Sequence, residues 1–292
     1  MIHVIISLPR YESDGQMKVA TFRPGKKRHR ARNTTIKAIK RLAQYPGLKM
    51  TCRRLLRILT MTAVLLGIGS LPNGVLAQAS KSSGTKIGII GSGNIGSTVG
   101  RLWVNAGHQV LFSSRNPGNL KQLVDSLGPL AQADTVRKAL TFGAAALLAV
   151  PYGAYPQIGK DYAQELAGKI ILDAGNAVPS RDGEISKEAL ELGIGLTSAK
   201  YLPTARIVRA FNTLSYLVLA NNAHRASERM AIPIAGNDKE ALAVASKLIR
   251  DAGFDPVIVG ALQSAKLFAR GGPLYGQQIT AREMQLRLKK LR

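Results

Sequence analysis

The residues best able to do chemistry in this sequence are six in a row, Gly91, Ser92, Gly93, Asn94, Ile95 and Gly96. They form a G-x-G-x-x-G turn directly after the apolar run 86–90. Each glycine has its own task in such a turn. Gly91 permits the sharp exit from a strand, Gly93 lets backbone approach a pyrophosphate with no Cβ in the way, and Gly96 lets the next helix pack closely on the sheet. The unpaired N–H groups and positive dipole end of that helix favour an anion. In a chain with 29 glycines the spacing alone is weak. Its context strengthens it: an amphipathic segment (Ile95, Val99, Leu102, Trp103, Ala106) ends at Gly107, and a second apolar run, 109–112, comes next. That is a complete βαβ unit of about thirty residues, the length a dinucleotide site needs.

The end of the second strand reads Ser113-Ser114-Arg115-Asn116. An NAD-specific site places an acid there, about twenty residues beyond the glycines, on the ribose hydroxyls. Here a hydroxyl and a guanidinium stand instead, suited to a 2′-phosphate, so Ser114 and Arg115 predict NADP(H) rather than NAD. The apolar run 144–150 ends in Val150 and Pro151, and the strand 169–172 runs into Asp173-Ala174-Gly175-Asn176. In an open parallel sheet both carboxyl ends border the ligand crevice. Val150, Pro151 and Asn176 are therefore candidates for the nicotinamide ribose region. Asn176 serves equally well as a turn residue.

The elements that position these groups alternate along the chain. Helices are expected over 117–127, 133–142, 153–166, 184–192, 196–202, 214–221, 239–251 and 280–291, with strands over 206–211, 230–235 and 256–259. Any third strand between the first two helices is short. The fold class is α/β, a Rossmann-like doubly wound parallel sheet with a small C-terminal helical/αβ extension. The NADP-binding domain is assigned to 86–212 and the C-terminal region to 213–292. In the last helix the Met284, Leu288 and Leu291 spacing marks a core or dimer face.

The formal charge of +24 is unevenly placed. Residues 1–79 hold 15 Lys/Arg against Glu12 and Asp14, whereas 80–292 hold 26 against 15. The folded part lacks basic and aromatic residues interleaved as nucleic-acid binders have them, so no nucleic-acid partner is expected. Residues 1–49 are polar and basic and read as disordered. Residues 50–79 have the form of a signal peptide: Arg53, Arg54 and Arg57, an apolar stretch over 58–69, and the cleavage-type sequence Ala77-Gln78-Ala79. Either Met50 is the natural start or the n-region is unusually long. The paired arginines resemble a twin-arginine signal. An exported, periplasmic protein is expected, against a membrane anchor or a cytoplasmic location as the alternatives; the apolar run is shorter than the roughly 20 residues of a span. Cys52, the single cysteine, falls in this leader, and His3, His29, His108 and His224 have no ligand spacing, so no metal site is expected.

Taken together, 89–96, Ser114-Arg115, 147–151, 169–176, 208–213 and 271–275 resemble the NADP-dependent oxidoreductases of the coenzyme F420-dependent family. The family is also similar to the reductase domain of membrane-bound ferric reductases and, more distantly, to pyrroline-5-carboxylate reductases. The resemblance implies direct hydride transfer between stacked rings, with the C-terminal region helping to close the acceptor pocket and to form a homodimer. It departs at Arg209, where members often carry Lys, and an export signal is unexpected for F420 chemistry. Phe211, Asn212 and Thr213 are candidates for the acceptor pocket, Phe211 equally for core. No triad, paired carboxylates or Tyr-Lys dyad appears, so no catalytic residue is assigned. Hydride transfer to a flavin-like ring, F420 or FMN, demands mainly positioning. Two other functions fit these residues: an exported flavin or ferric-chelate reductase, and a non-catalytic NADP-binding sensor module.

Overall fold

The computed structural model describes residues 84–291 and, nearer the N-terminus, residues 7–11 and 17–21. Ser7–Tyr11 (β1) and Met17–Thr21 (β2) pair antiparallel within a first unit, 1–76. They lie in the basic extension expected to be disordered. The expected leader, 50–79, lies outside the described residues.

The second unit is built on one sheet. Its strands are Lys86–Ile90 (β3), Gln109–Ser113 (β4), Ala131–Asp134 (β5), Ala145–Leu148 (β6), Ile170–Asp173 (β7), Arg206–Arg209 (β8), Ala231–Gly236 (β9) and Asp255–Gly260 (β10). Their spatial order is β10-β9-β8-β7-β6-β3-β4-β5. Strands β3 to β8 run parallel, β9 pairs antiparallel with β8, and β10 lies parallel to β9. Chain order runs outward from β3 through β4 to β5, then returns to the other side of β3 at β6. The doubly wound topology is therefore present, and its switch point lies between β3 and β6. Strands β6 and β7 are buried along their whole length, as parallel strands covered on both faces must be.

Helices Asn94–Asn105 (α1), Lys121–Leu127 (α2), Val136–Phe142 (α3), Tyr155–Asp161 (α4), Ala163–Leu166 (α5), Pro179–Asp182 (α6), Glu184–Glu188 (α7), Ile194–Tyr201 (α8), Tyr216–Asn222 (α9), Lys239–Asp251 (α10) and Ala281–Leu291 (α11) cover it. Thr135, Ser215 and Asp238 cap α3, α9 and α10 by accepting a backbone N–H with their side chains. One face holds a core around Trp103, Phe112, Phe211 and Phe254. Phe211 meets Trp103 edge to face at 6.0 Å and Phe254 at 6.4 Å. Full burial of one such aromatic is worth roughly 1.5–3 kcal/mol. The Trp103 indole N–H donates to the Leu248 carbonyl at 2.8 Å, tying α1 to α10 across the chain. The 213–292 region thus continues the sheet and shares its core. On the other face Met284 and Leu288 of α11 are buried while Leu291 is exposed, so two positions of that spacing serve the core of this chain.

Three local differences from expectation have physical causes. Residues 131–134 form β5 although Ala-Gln-Ala-Asp has no β preference; pairing with β4 from Val110 to Ser113 decides it. The helix expected over 184–192 is α7 followed by a π turn at Ala189–Gly193, after which α8 begins. Strand β8 stops at Arg209 because Phe211 takes φ 59°, which a pleated strand cannot include.

Candidate functional site

The carboxyl ends of β3, β4, β6 and β7 border one crevice at the switch point. Ile90 leads into Gly91, whose φ of 92° is natural only for glycine. A Cβ there would also stand 2.6 Å from the Ala149 carbonyl oxygen and from Val150 Cγ1. A Cβ on Gly96 would run into the Gly91 carbonyl oxygen, so that glycine lets α1 close on the turn. Gly93 differs from both. Nothing lies within 4 Å of its would-be Cβ, so here the backbone faces open space at the N-terminus of α1. Ser92 joins the turn to β4, its N–H and hydroxyl both donating to the Ser113 carbonyl at 3.2 and 3.0 Å. The N-terminal backbone donors of α1 are thereby aimed outward beside the open position.

Two cavities meet at Ala149, Val150 and Pro151. The larger, about 660 Å³, is bordered by Gly91, Ser92, Gly93, Ser114 and Arg115 on the glycine side and by apolar residues such as Leu120, Val136 and Ile158 on the other. Ser114 turns its hydroxyl to the Asn116 N–H at 3.0 Å and leaves Arg115 exposed at the cavity edge. This shape and chemistry suit an adenosine with a phosphate on its ribose.

The smaller cavity, about 250 Å³, is lined by Asn94, Ile95, Ala174, Gly175, Asn176 and Arg181 besides the shared wall. Beneath it the Gly175 peptide is held from both ends. Asp173 Oδ1 accepts its N–H at 3.0 Å, and Arg209 Nη2 donates to its carbonyl at 2.5 Å. Arg209 and Asp173 themselves stand 2.6 Å apart with both side chains wholly buried. The Tyr155 hydroxyl donates to the same Asp173 oxygen at 2.5 Å and lies where a Cβ on Gly175 would go. Burial first, then the Asp173 charge, pushes the Tyr155 phenol well above its ordinary range, so it is a fixed donor. Asp182 ties two loops together, accepting from Gly153 N–H at 3.1 Å and Val178 N–H at 2.7 Å, while Arg181 pairs with it at 2.8 Å. Burial alone would raise the Asp182 pKa; the Arg181, Val178 and Gly153 hydrogen bonds outweigh it and hold the carboxyl below the usual range.

Most of the positions singled out by spacing line these two cavities: Gly91, Ser92, Gly93, Ser114 and Arg115 the larger, Asn94, Ile95 and Asn176 the smaller, Val150 and Pro151 both. Gly96 lies beneath the turn. Asn176 donates its amide to the Asn212 carbonyl at 2.6 Å, so its side chain braces the loop. The Asn212 side-chain amide in turn donates a hydrogen bond to the Phe268 carbonyl at 3.1 Å. Phe211, Asn212 and Thr213 are all buried, Phe211 within the aromatic core and Asn212 against Asn176. Sequence reasoning passed over Tyr155, Arg181 and Asp182. Arg181-Asp182 after Pro179, just past a strand end that borders the crevice, was the available signal.

The family of NADP oxidoreductases, coenzyme F420-dependent, matches residues 86–177. Metalloreductase STEAP3 of Rattus norvegicus is 30% identical over 198 residues, covering 66% of this chain and 37% of that protein. Metalloreductase STEAP2 of Mus musculus is 27% identical over 197 residues, so the chain spans little more than a third of the length of these curated relatives. Among solved structures, a hypothetical protein of Sinorhizobium meliloti shares 30% identity with a TM-score of 0.58, covering 69% of this chain and 97% of that one. A candidate F420-dependent NADP-reductase from Arthrobacter sp. shares the fold at 23% identity, with a TM-score of 0.53 over 62% of this chain and 87% of that one.

Proposed function

We propose that this chain, whose residues 86–177 match the family of NADP oxidoreductases, coenzyme F420-dependent, reduces a flavin-like or F420-type ring at the Ala174–Asn176 end of the crevice, with NADPH as the hydride donor. The observation that carries the proposal is the open backbone at Gly93 beside a β4 end that bears Arg115 and no acid. The residues present fit the cofactor. The first turn of α1 meets the pyrophosphate, Ser114 and Arg115 the 2′-phosphate, and Val150 with Pro151 forms an apolar wall between the two halves.

NADPH, once bound, supplies the hydride. The protein's share is to bind, orient and exclude water. The Asp173–Arg209–Tyr155 network holds the Gly175 peptide rigid, and the Asn176–Asn212 bond fixes the loop beyond it. Positioning of this kind is what a ring-to-ring hydride transfer requires. Arg181 is the single ionisable side chain lining the smaller cavity, so the site offers no acid poised near neutrality, in keeping with an acceptor that needs no protein proton donor. The likeness to metalloreductases favours a ferric chelate as a second acceptor class.

Cofactor affinity tests the proposal. NADPH is expected to bind the full chain at least tenfold more tightly than NADH, and Arg115→Glu to abolish that preference with NADH affinity kept, since one charge-assisted contact to phosphate is worth about 1.5–3 kcal/mol. Equal binding of both cofactors by the unaltered chain would overturn it.

A further inference from the structure

The larger cavity carries a group that phosphate binding does not explain. Asp161, the last residue of α4, lines it together with Gln157 four residues earlier and Tyr162 just beyond. Among the described residues no other acid lines this cavity. The Asp161 side chain is exposed and has no ion-pair partner among the described residues. Arg137 donates to the Asp161 backbone carbonyl at 3.3 Å, but its charge is paired with Glu165 and its guanidinium lies over the Tyr162 ring, 5.3 Å from the centroid. The one side-chain bond to the carboxylate comes from Gln157, whose Nε2 donates to Asp161 Oδ1 at 2.6 Å. Oδ2 and the second amide hydrogen of Gln157 are left over.

A carboxylate beside a ligand that already carries a 2′-phosphate and a pyrophosphate repels it, unless the ligand brings a hydrogen-bond donor to that oxygen. The adenosine half of NADP has two donors, the exocyclic amine of the base and the ribose 3′-hydroxyl. The ribose belongs beside Ser114 and Arg115, where its phosphate is met. Asp161 stands on a different element, and Leu120, Val136 and Ile158 give the same cavity the apolar surface that a flat ring needs. The spare oxygen of Asp161 and the spare amide hydrogen of Gln157 offer an acceptor beside a donor. Adenine presents the complement, its amine beside a ring nitrogen.

Resting on the NADP(H) site proposed above, we infer that Asp161, held by Gln157, accepts the amine of the adenine base, so that the cavity selects its dinucleotide by the base as well as by the 2′-phosphate. The ribose hydroxyl is the other donor that could meet this carboxylate, and a binding experiment separates the two.

Deamino-NADPH differs from NADPH in the base alone: hypoxanthine has a carbonyl where adenine has its amine. Binding of NADPH, deamino-NADPH and NADH to the full chain is followed by nicotinamide fluorescence for the parent, Asp161→Asn and Gln157→Leu. The parent is expected to bind NADPH about tenfold more tightly than deamino-NADPH, the worth of one charge-assisted hydrogen bond at an exposed site. Asp161→Asn, whose amide either accepts or donates, closes that gap to within about twofold, and Gln157→Leu narrows it. The ratio of the two affinities is the readout, because removing a negative charge shifts both cofactors alike. Equal affinity of the parent for the two bases, a gap that survives either substitution unchanged, or variants that weaken both cofactors equally, as loss of a ribose contact would, overturns the inference. A parent that does not prefer NADPH to NADH tells against the cofactor proposed above and this inference together, whereas that preference without a base gap tells against this inference alone.

Discussion

Substituting Gly93 with Ala separates the binding task of the turn from its structural one. The folded protein has room for the methyl group, since nothing stands within 4 Å of the position, and φ −75°, ψ −160° is open to alanine. Two small effects on stability oppose each other. Losing glycine at a helix N-cap costs a few tenths to about 1 kcal/mol, and restricting the unfolded chain returns about 0.4–1 kcal/mol. The net change is expected within about 1 kcal/mol of zero. Binding should respond very differently. The new Cβ holds a pyrophosphate off the N–H groups of the first turn of α1, and losing one or two charge-assisted hydrogen bonds at about 1.5–3 kcal/mol each weakens NADPH by at least tenfold and up to several hundredfold. Gly96→Ala, whose Cβ meets the Gly91 carbonyl, is the contrasting variant and should lose about 2 kcal/mol or more of stability. Denaturant unfolding and titration calorimetry with NADPH measure both quantities. A Gly93→Ala protein that binds NADPH as the parent does, or that loses as much stability as Gly96→Ala, would refute the assigned role.

Three further outcomes follow from the packing. Arg209→Met leaves the wholly buried Asp173 carboxylate without its cation and should cost about 3–5 kcal/mol in denaturant unfolding, with Arg209→Met/Asp173→Asn recovering part of it; an equal loss in the double variant would deny the coupling. Trp103→Phe removes the indole bond to the Leu248 carbonyl, which keeps its bond from the Ala252 N–H, and should cost about 0.5–1.5 kcal/mol besides the lost packing; a neutral result would mean that α1 and α10 are not tied through this bond. Burial of His108 opposes its protonation more than the Asp251 carboxylate favours it, with the Lys247 charge adding to the opposition, so its folded pKa lies below the ordinary value. The unfolded chain then binds the extra proton first. Stability from this group is complete above about pH 6.5 and is lost as pH falls toward the folded value, and His108→Gln should flatten that slope in unfolding curves; a slope unchanged by the substitution rules the assignment out.

The first βαβ unit was legible almost residue for residue, because three independent signals coincide there: a β-type run into Gly91, a helical apolar period over α1, and a second run ending at Ser113. Strand β5 was not, since four small and polar residues acquire strand geometry only from their neighbour β4. The crevice-lining positions follow from the rule that strand ends border the ligand, which depends on order along the chain. The support beneath them is of another kind. Tyr155 meets Asp173 across 18 residues, and Asn176 meets Asn212 across 36. No period or motif signals such meetings, because each partner read alone is an ordinary tyrosine or asparagine in a loop or helix. Phe211, Asn212 and Thr213 show the difference plainly: the segment is distinctive as a sequence, and in the fold it braces the loop through Asn212, with Phe211 held at positive φ by the aromatic core.

The most direct test is the rate at which the full chain oxidises NADPH when F420, FMN and a ferric chelate are offered in parallel, with NADH and Arg115→Glu as controls. Saturable turnover with at least one acceptor, slower with NADH and weakened for NADPH by the variant, is the expected result. Saturable NADPH binding with no oxidation by any of the three would contradict the reductase and point to a protein that binds the cofactor without using its hydride.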